Sequence, residues 1–287
     1  MNFHAALLLL VTLVWGTTFP VLKNAALHLS GLEVSALRFL VAAVCMAPFA
    51  FRCSRAAWRD GALLGAVALI SYVSQAYGLQ FISSNRSAFL TSLNVLLVPL
   101  LAWLLGGKLS LQLLLAAGLA CAGIGFMSWE GGASWSGDSA TLVCALSYAA
   151  YVLMLARMVQ RHTARTLAAT QIVMMALFGT VLLALEGGAQ LASLPARLQP
   201  ALPAILYLGV IATAAMLFLQ AIGQQRISAA KAALIFALEP AFAALFAWIW
   251  LGELLSQRAA MGGALVVLAV VLSEWKFASA TRLSSAE

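Results

Sequence analysis

The sequence predicts an all-α membrane protein: ten transmembrane helices arranged as two inverted five-helix repeats. Three observations predict it. Of 287 residues, 64% are hydrophobic and 9% are charged, against roughly a quarter charged in soluble domains, and the mean hydropathy is +1.01. Apolar runs recur at about the 20 residues that cross a bilayer, joined by connections too short to hold a soluble domain. The chain also matches itself at an offset of 145 residues.

The first span, 5–22, contains Trp15 and the stretch "VWGTTFP". No basic segment precedes it, and that stretch stands where a small-residue cleavage site would be needed, so it reads as a helix rather than a signal peptide. The second, 33–51, carries Arg38 about two turns in. In the third, 61–81, Ser71, Gln75 and Gly78 are spaced i, i+4, i+7, one small and polar stripe that should face inward. Gly61 and Gly65 of the same span, at four-residue spacing, suit close helix packing. The fourth span, 87–106, holds Asn94 and Trp103. The fifth, 111–129, is glycine-rich around Gly118, and the sixth, 139–157, bears Tyr148 and Tyr151. The seventh, 166–185, and the eighth, 202–223, follow, the latter ending near Gln220. The ninth, 229–251, contains "AALIFALEPAFAALFAWIW", apolar throughout except for Glu239, which directly precedes Pro240; the tenth is 258–275, with Gly263.

The net charge is +7 and the pI near 9.6. The positive charges sit singly in short connections, which fits topology and attraction to anionic lipid and excludes a nucleic-acid groove. Eleven Lys and Arg fall on the side of the termini; four, Lys23, Arg86, Arg197 and Arg258, fall on the other. Both termini are therefore expected in the cytoplasm. Cys45, Cys53, Cys121 and Cys144 lack paired or metal-like spacing and read as small hydrophobes. His4, His28 and His162 lie at loop edges with no metal constellation. No nucleophile–base grouping or Walker loop is present, so neither an enzyme nor a cofactor is expected.

The 145-residue register aligns "QAYGLQFISSNRSAFLTSLNVLLVPLLAW" from Gln75 with "QAIGQQRISAAKAALIFALEPAFAALFAW" from Gln220, with about fifteen identities in forty-five positions. Gln75/Gln220, Gly78/Gly223, Ser83/Ser228, Trp103/Trp248, Gly107/Gly252 and Gln112/Gln257 are among them. A weaker offset of 133 pairs Trp15 with Tyr148 and Arg38 with Gln171. A unit of five helices is odd, so consecutive copies enter the membrane from opposite sides, the inverted architecture on which many carriers build alternating access. The expected halves are 1–132 and 133–280, followed by a cytoplasmic tail, 281–287. The register also sets Asn94 against Glu239 at similar depth.

Two five-helix halves, "VWGTTFP" in the first span, "SAFLTSLNVLLVPLLAWLL" in the fourth and "ALIFALEPAFAALFAWIWLGELLS" in the ninth resemble the EamA-type transporters of the drug/metabolite transporter superfamily, in particular its amino-acid and metabolite exporters. The resemblance covers nearly the whole chain. It implies a ten-helix carrier with a central cavity between its halves that exports small metabolites, amino acids prominent among them; a place in the cytoplasmic membrane and function as a monomer are expected besides. Two features depart from the pattern: Gly252-Glu253 is answered in the first half by Gly107-Lys108, and Glu239 is answered by Asn94. A symmetric pair of coupling carboxylates is missing.

The candidate substrate-binding residues are Trp15, Arg38, Tyr72, Gln75, Asn94, Tyr148, Tyr151, Gln220 and Glu239, with Pro240 as the hinge. An ionised acid at the bilayer centre costs several kcal/mol, so Glu239 should face a wet cavity or a partner, or hold a proton. Pro240 lacks an N–H and loosens the helix beside it. The amides Gln75, Gln220 and Asn94 either bond a substrate or hold helices together. Aromatics such as Trp15, Tyr72, Tyr77, Trp103, Tyr148 and Tyr151 either line a cavity or mark the membrane interface. Arg38 either snorkels outward or receives a substrate carboxylate. Arg86 and Lys231 read as interface anchors. Donors and acceptors together suit a zwitterion, hence amino acids or similar amphipathic metabolites; the alternative is a multidrug exporter of quaternary ammonium cations.

Overall fold

The computed structural model describes residues 3–108, 110–128, 134–186, 189–251 and 257–274, and among these all regular structure is helical. In chain order the helices are α1 (Phe3–Gly16), α2 (Thr18–Ala25), α3 (Gly31–Ala50), α4 (Arg55–Gly78), α5 (Ser84–Ser92), α6 (Asn94–Leu104) and α7 (Leu111–Ser128). There follow α8 (Trp135–Met158), α9 (Ala164–Glu186), α10 (Ala189–Leu206), a π-helix (Tyr207–Ala215), α11 (Met216–Gln224), α12 (Ala229–Phe236), α13 (Glu239–Leu251) and α14 (Gln257–Glu274). Seven stretches are long and apolar enough to cross a membrane, from Phe3–Ala25 to Ala192–Gln224, and shorter apolar helices run over Leu111–Phe126 and Ala260–Leu272. Gly252, Glu253, the expected junction at 132–133 and the tail 281–287 lie outside the described residues.

Serine caps, rather than hydropathy, set where helices begin. Ser30 accepts from the Glu33 N–H while Glu33 accepts from the Ser30 N–H, a reciprocal cap on α3. Ser54, Ser83 and Ser134 cap α4, α5 and α8 in the same way through one hydroxyl each. Hence α4 starts at Arg55, six residues before the expected edge at 61. The eighth span also starts early. Helix α10 runs through Pro195, Pro200 and Pro203. Packing on α2 and α3 and an ion pair from Arg197 to Glu33 hold it there, so tertiary contacts override local propensity.

Three apolar stretches are broken, two of them among these seven. Pro20 and Pro240 have no N–H for the carbonyls of Gly16 and Phe236, four residues earlier, and the helix yields at Thr17 and at 237–238. At Leu93 the backbone tightens to a three-residue bond with Leu90, and the Asn94 side-chain amide donates to the Thr91 carbonyl at 2.8 Å. Two breaks touch: a Cβ on Gly16 would lie 2.9 Å from Phe242 Cβ and 3.2 Å from the Glu239 carbonyl.

Glycines bring helix axes together where α4 crosses α9: a Cβ on Gly61 would strike Thr170, and one on Gly65 would lie 2.8 Å from the Gln171 carbonyl. Between α7 and α14 the close approach is at Gly123, 2.7 Å from the Gly262 carbonyl, whereas Gly118 faces open space and Gly263 only reaches Ala241. The close crossing thus falls further along α7 than Gly118, at another glycine of the same span. Gly31 meets backbone rather than side chain, since its Cβ would lie 2.7 Å from the Tyr77 N and 2.8 Å from the Ala76 carbonyl carbon. Backbone cannot step aside, so Gly31→Val is expected to cost about 1–3 kcal/mol. Thermal unfolding of the detergent-solubilised variant should show a lowered midpoint, and an unchanged midpoint would contradict this packing.

Candidate functional site

A small pocket opens where the broken helices meet. Of the nine candidate substrate-binding residues, Trp15, Arg38, Tyr72, Gln75, Tyr148 and Glu239 line it. Asn94, Tyr151 and Gln220 do not, although all three are buried. Glu239 is the first residue of α13 and Asn94 the first of α6, each just after a break. Their roles differ: the Asn94 amide serves the Thr91 carbonyl, while the Glu239 carboxylate makes no hydrogen bond or ion pair among the described residues and is partly open to the pocket.

One wall is aromatic. Trp15 stands edge-on to Tyr148, with centroids 6.0 Å apart, and tilts on Phe236 at 5.6 Å. Tyr148 stacks on Tyr151 at 5.8 Å. Behind that wall lies a polar network: Tyr151 donates to Gln171 at 3.2 Å, and Gln220 donates to the Tyr148 hydroxyl at 3.3 Å and to Gln224 at 3.1 Å. Tyr151 and Gln220 thus support the pocket from the second row. Tyr77 and Trp103, in contrast, are about half exposed on the outer surface, the interfacial reading of those rings.

Two lining residues, Trp15 and Arg38, are anchored by the π-helix. A π segment widens the backbone by one residue per turn and recurs at functional sites. Here it offers the Ala212 carbonyl to the Trp15 indole N–H at 2.9 Å and the Thr213 hydroxyl to Arg38 Nε at 2.9 Å. The Thr213 hydroxyl itself donates to the Leu208 carbonyl five residues back, at 2.7 Å. Gly209 lets this segment lie on α3, since a Cβ there would come 2.9 Å from the Arg38 carbonyl. Tyr207 bonds Thr17 at the first break. Arg38 does not snorkel outward: it is 3% exposed, with its guanidinium carbon 4.8 Å from the Tyr72 ring centroid.

Thr18, Ser71, Thr91 and Cys144 complete the lining. Ser71 and Gln75, on the stripe read from the sequence, meet the Cys144 carbonyl at 3.2 Å and Thr91 at 3.4 Å. Gly78 packs on Thr141. Thr18, Thr91 and Cys144 gave no distinguishing signal, because small polar residues in apolar helices look alike whether they face a neighbour or a cavity. Cys144, read as a small hydrophobe, is here a pocket residue. Among the described residues no group of three or more His, Cys, Asp or Glu has the arrangement of a metal site.

At one end of the bundle the charges that read as loop residues are paired. Arg86 grips Asp138 through two bonds of 2.7 Å, and Arg197 grips Glu33 through both oxygens. Lys23 donates to the Ile82 carbonyl nearby. At the other end His162 meets Asp60 at 3.0 Å.

A protein of Archaeoglobus fulgidus described as an uncharacterized transporter is 28% identical over 268 residues, 92% of this chain and 83% of that one. A protein of known crystal structure shares the fold with a TM-score of 0.73 at 17% identity, covering 96% of this chain and 97% of the other. The model of the EamA-like transporter family matches residues 2–129 and 135–275. A multi-pass helical bundle, a pocket among its broken helices and a family match along nearly its whole length lead to one conclusion: the chain belongs to the EamA-like transporter family.

Proposed function

We propose that this protein is a carrier of the cytoplasmic membrane that exports amino acids or similarly sized amphipathic metabolites by alternating access, with the pocket as its substrate site. The observation that carries the reading is Glu239: a carboxylate without a protein partner among the described residues, at a helix break, lining a pocket inside an apolar bundle. Such a group is costly unless it faces a wet cavity or a partner, or holds a proton. The ammonium of an amino acid is a fitting partner. A second reading, export of quaternary ammonium cations, is favoured by the aromatic faces of Trp15, Tyr72 and Tyr148 beside that acid.

The carrier has ten spans in two inverted halves, 1–132 and 133–280, and works as a monomer. Helix contacts support this. In the registers of 133 and 145 residues, α3 and α9 are counterparts and pack on each other, as do α7 and α14. Helix α1 packs on α11 as its counterpart α8 packs on α4, and α1 meets α13 as α8 meets α6. Exchange of partners in this way is what a two-fold relation between halves requires.

Purified protein in liposomes is expected to take up one or more labelled amino acids saturably. Saturable uptake of quaternary ammonium compounds with none of any amino acid would reverse the order of the two readings. Repeating the assay at fixed membrane potential with and without a pH gradient tests proton coupling, and indifference to the gradient means facilitated diffusion. Both termini are cytoplasmic in this scheme, so single cysteines at Ser136 and at the C-terminus should label from opposite sides. Labelling from one side would overturn the span count.

A further inference from the structure

We propose that Arg38 is the anion subsite of this pocket and that the cargo must carry a carboxylate, so that substrates are zwitterions spanning Arg38 and Glu239. The inference rests on the carrier reading and narrows its substrate class.

A guanidinium has five N–H donors and no way to shed its charge. When it is buried, its lost hydration must be replaced by acceptors and a counter-charge. For Arg38, 3% exposed, the described residues supply one acceptor, the Thr213 hydroxyl on Nε, together with the face of Tyr72. No carboxylate comes within ion-pair distance of it among those residues. Its two terminal nitrogens, with four of the five donors, have no protein acceptor there, and the side chain lines the pocket. That fork is the geometry that takes a carboxylate through two parallel bonds.

The anchoring is specific. The Thr213 hydroxyl donates to the Leu208 carbonyl, which leaves its lone pairs directed at Nε. Only the wider π-helical turn puts a hydroxyl five residues beyond that carbonyl, and Gly209 seats the segment on the Arg38 backbone. Arg38 is thereby held through Nε, which leaves its two terminal nitrogens for an end-on pair of bonds to a carboxylate. Glu239 also lines the pocket but does not pair with Arg38, so the protein leaves two opposite charges for the ligand to satisfy. A zwitterion neutralises both. A quaternary ammonium ion satisfies only Glu239, and a phosphate dianion would face a single cation and an acid.

The test uses the full-length protein in liposomes and matched probes, each transported L-amino acid against its carboxamide, which keeps the size and the ammonium but loses the negative charge. Uptake of the carboxamide is expected to be at least tenfold weaker in kcat/KM, and Arg38→Gln should abolish that discrimination. Should Arg38→Gln fail to fold, Thr213→Val keeps the charge and loosens its anchor: KM for the amino acid should rise severalfold while that for the carboxamide stays put. Equal transport of acid and carboxamide by the wild-type protein overturns the inference and leaves the carrier reading intact. Transport of tetraethylammonium that survives Arg38→Gln, with no amino acid carried, overturns the inference and moves the carrier to its second reading. Absence of transport for every probe overturns the carrier reading, and this inference with it.

Discussion

Replacing Glu239 by glutamine is expected to cut the initial rate of substrate uptake by about a hundredfold in protein that still folds. Glutamine keeps the length and planar end of the side chain, and Glu239 has no hydrogen bond among the described residues to lose, so packing at the start of α13 should survive. What is removed is the charge facing the substrate's ammonium. Losing one partner of a desolvated charge pair costs about 3 kcal/mol, and about 1.4 kcal/mol is a factor of ten. Reconstituted variant and wild type, matched for expression and monodispersity, should be compared by initial rate. Asn94→Ala should give a milder loss, because that amide holds the Thr91 carbonyl at the matching break rather than the pocket. Wild-type rates in both variants would remove Glu239 from the site and Asn94 from its support.

Releasing the paired arginines should open one end of the bundle. Arg86–Asp138 and Arg197–Glu33 each join a residue of the first proposed half to one of the second, at the end where α3, α5 and α8 begin. By the same registers the counterparts of Asp138 and Glu33 are Ala5 and Thr166. The far end therefore lacks acids at those positions and is joined instead by His162 on Asp60. Side chains about one-fifth exposed, as at Arg86 and Asp138, earn a discounted value of about 1 kcal/mol per pair. Two pairs together hold the closed arrangement by roughly tenfold or more in population. Cys144 in the pocket supplies the reporter. In a background with Cys45, Cys53 and Cys121 replaced by alanine, Arg86→Gln with Arg197→Gln should speed Cys144 labelling about tenfold. The probe is a membrane-impermeant thiol reagent applied from the side of these pairs. Exchanging the charges, Arg86→Asp with Asp138→Arg, should restore slow labelling at that pair. Unchanged labelling in the double variant would show that this end is not a gate.

The helical, membrane-spanning character and the family were legible in the sequence, because hydropathy at the length of a bilayer and a self-match at 145 residues survive without any knowledge of packing. The weak point beside Pro240 was legible as well, since a missing N–H is a local property, although α10 shows that packing decides whether a proline breaks its helix. Six of nine proposed binding residues line one pocket, since a polar or aromatic side chain in an apolar helix has few places to go. Which of them faces the ligand was another matter. Tyr151 and Gln220 turn into a network with Gln171 and Gln224, while Tyr148, three residues from Tyr151, reaches the cavity. That choice depends on the rotation of each helix about its axis, which only its neighbours set. The π-helix carries no sequence mark, because its extra residue per turn is stabilised by Trp15 and Arg38 from other helices. The partners of Arg86 and Arg197, 52 and 164 residues away, were hidden for the same reason. Counting loop charges measures average orientation in the membrane, whereas pairing is decided by distance in space, and distance appears only once the helices have packed.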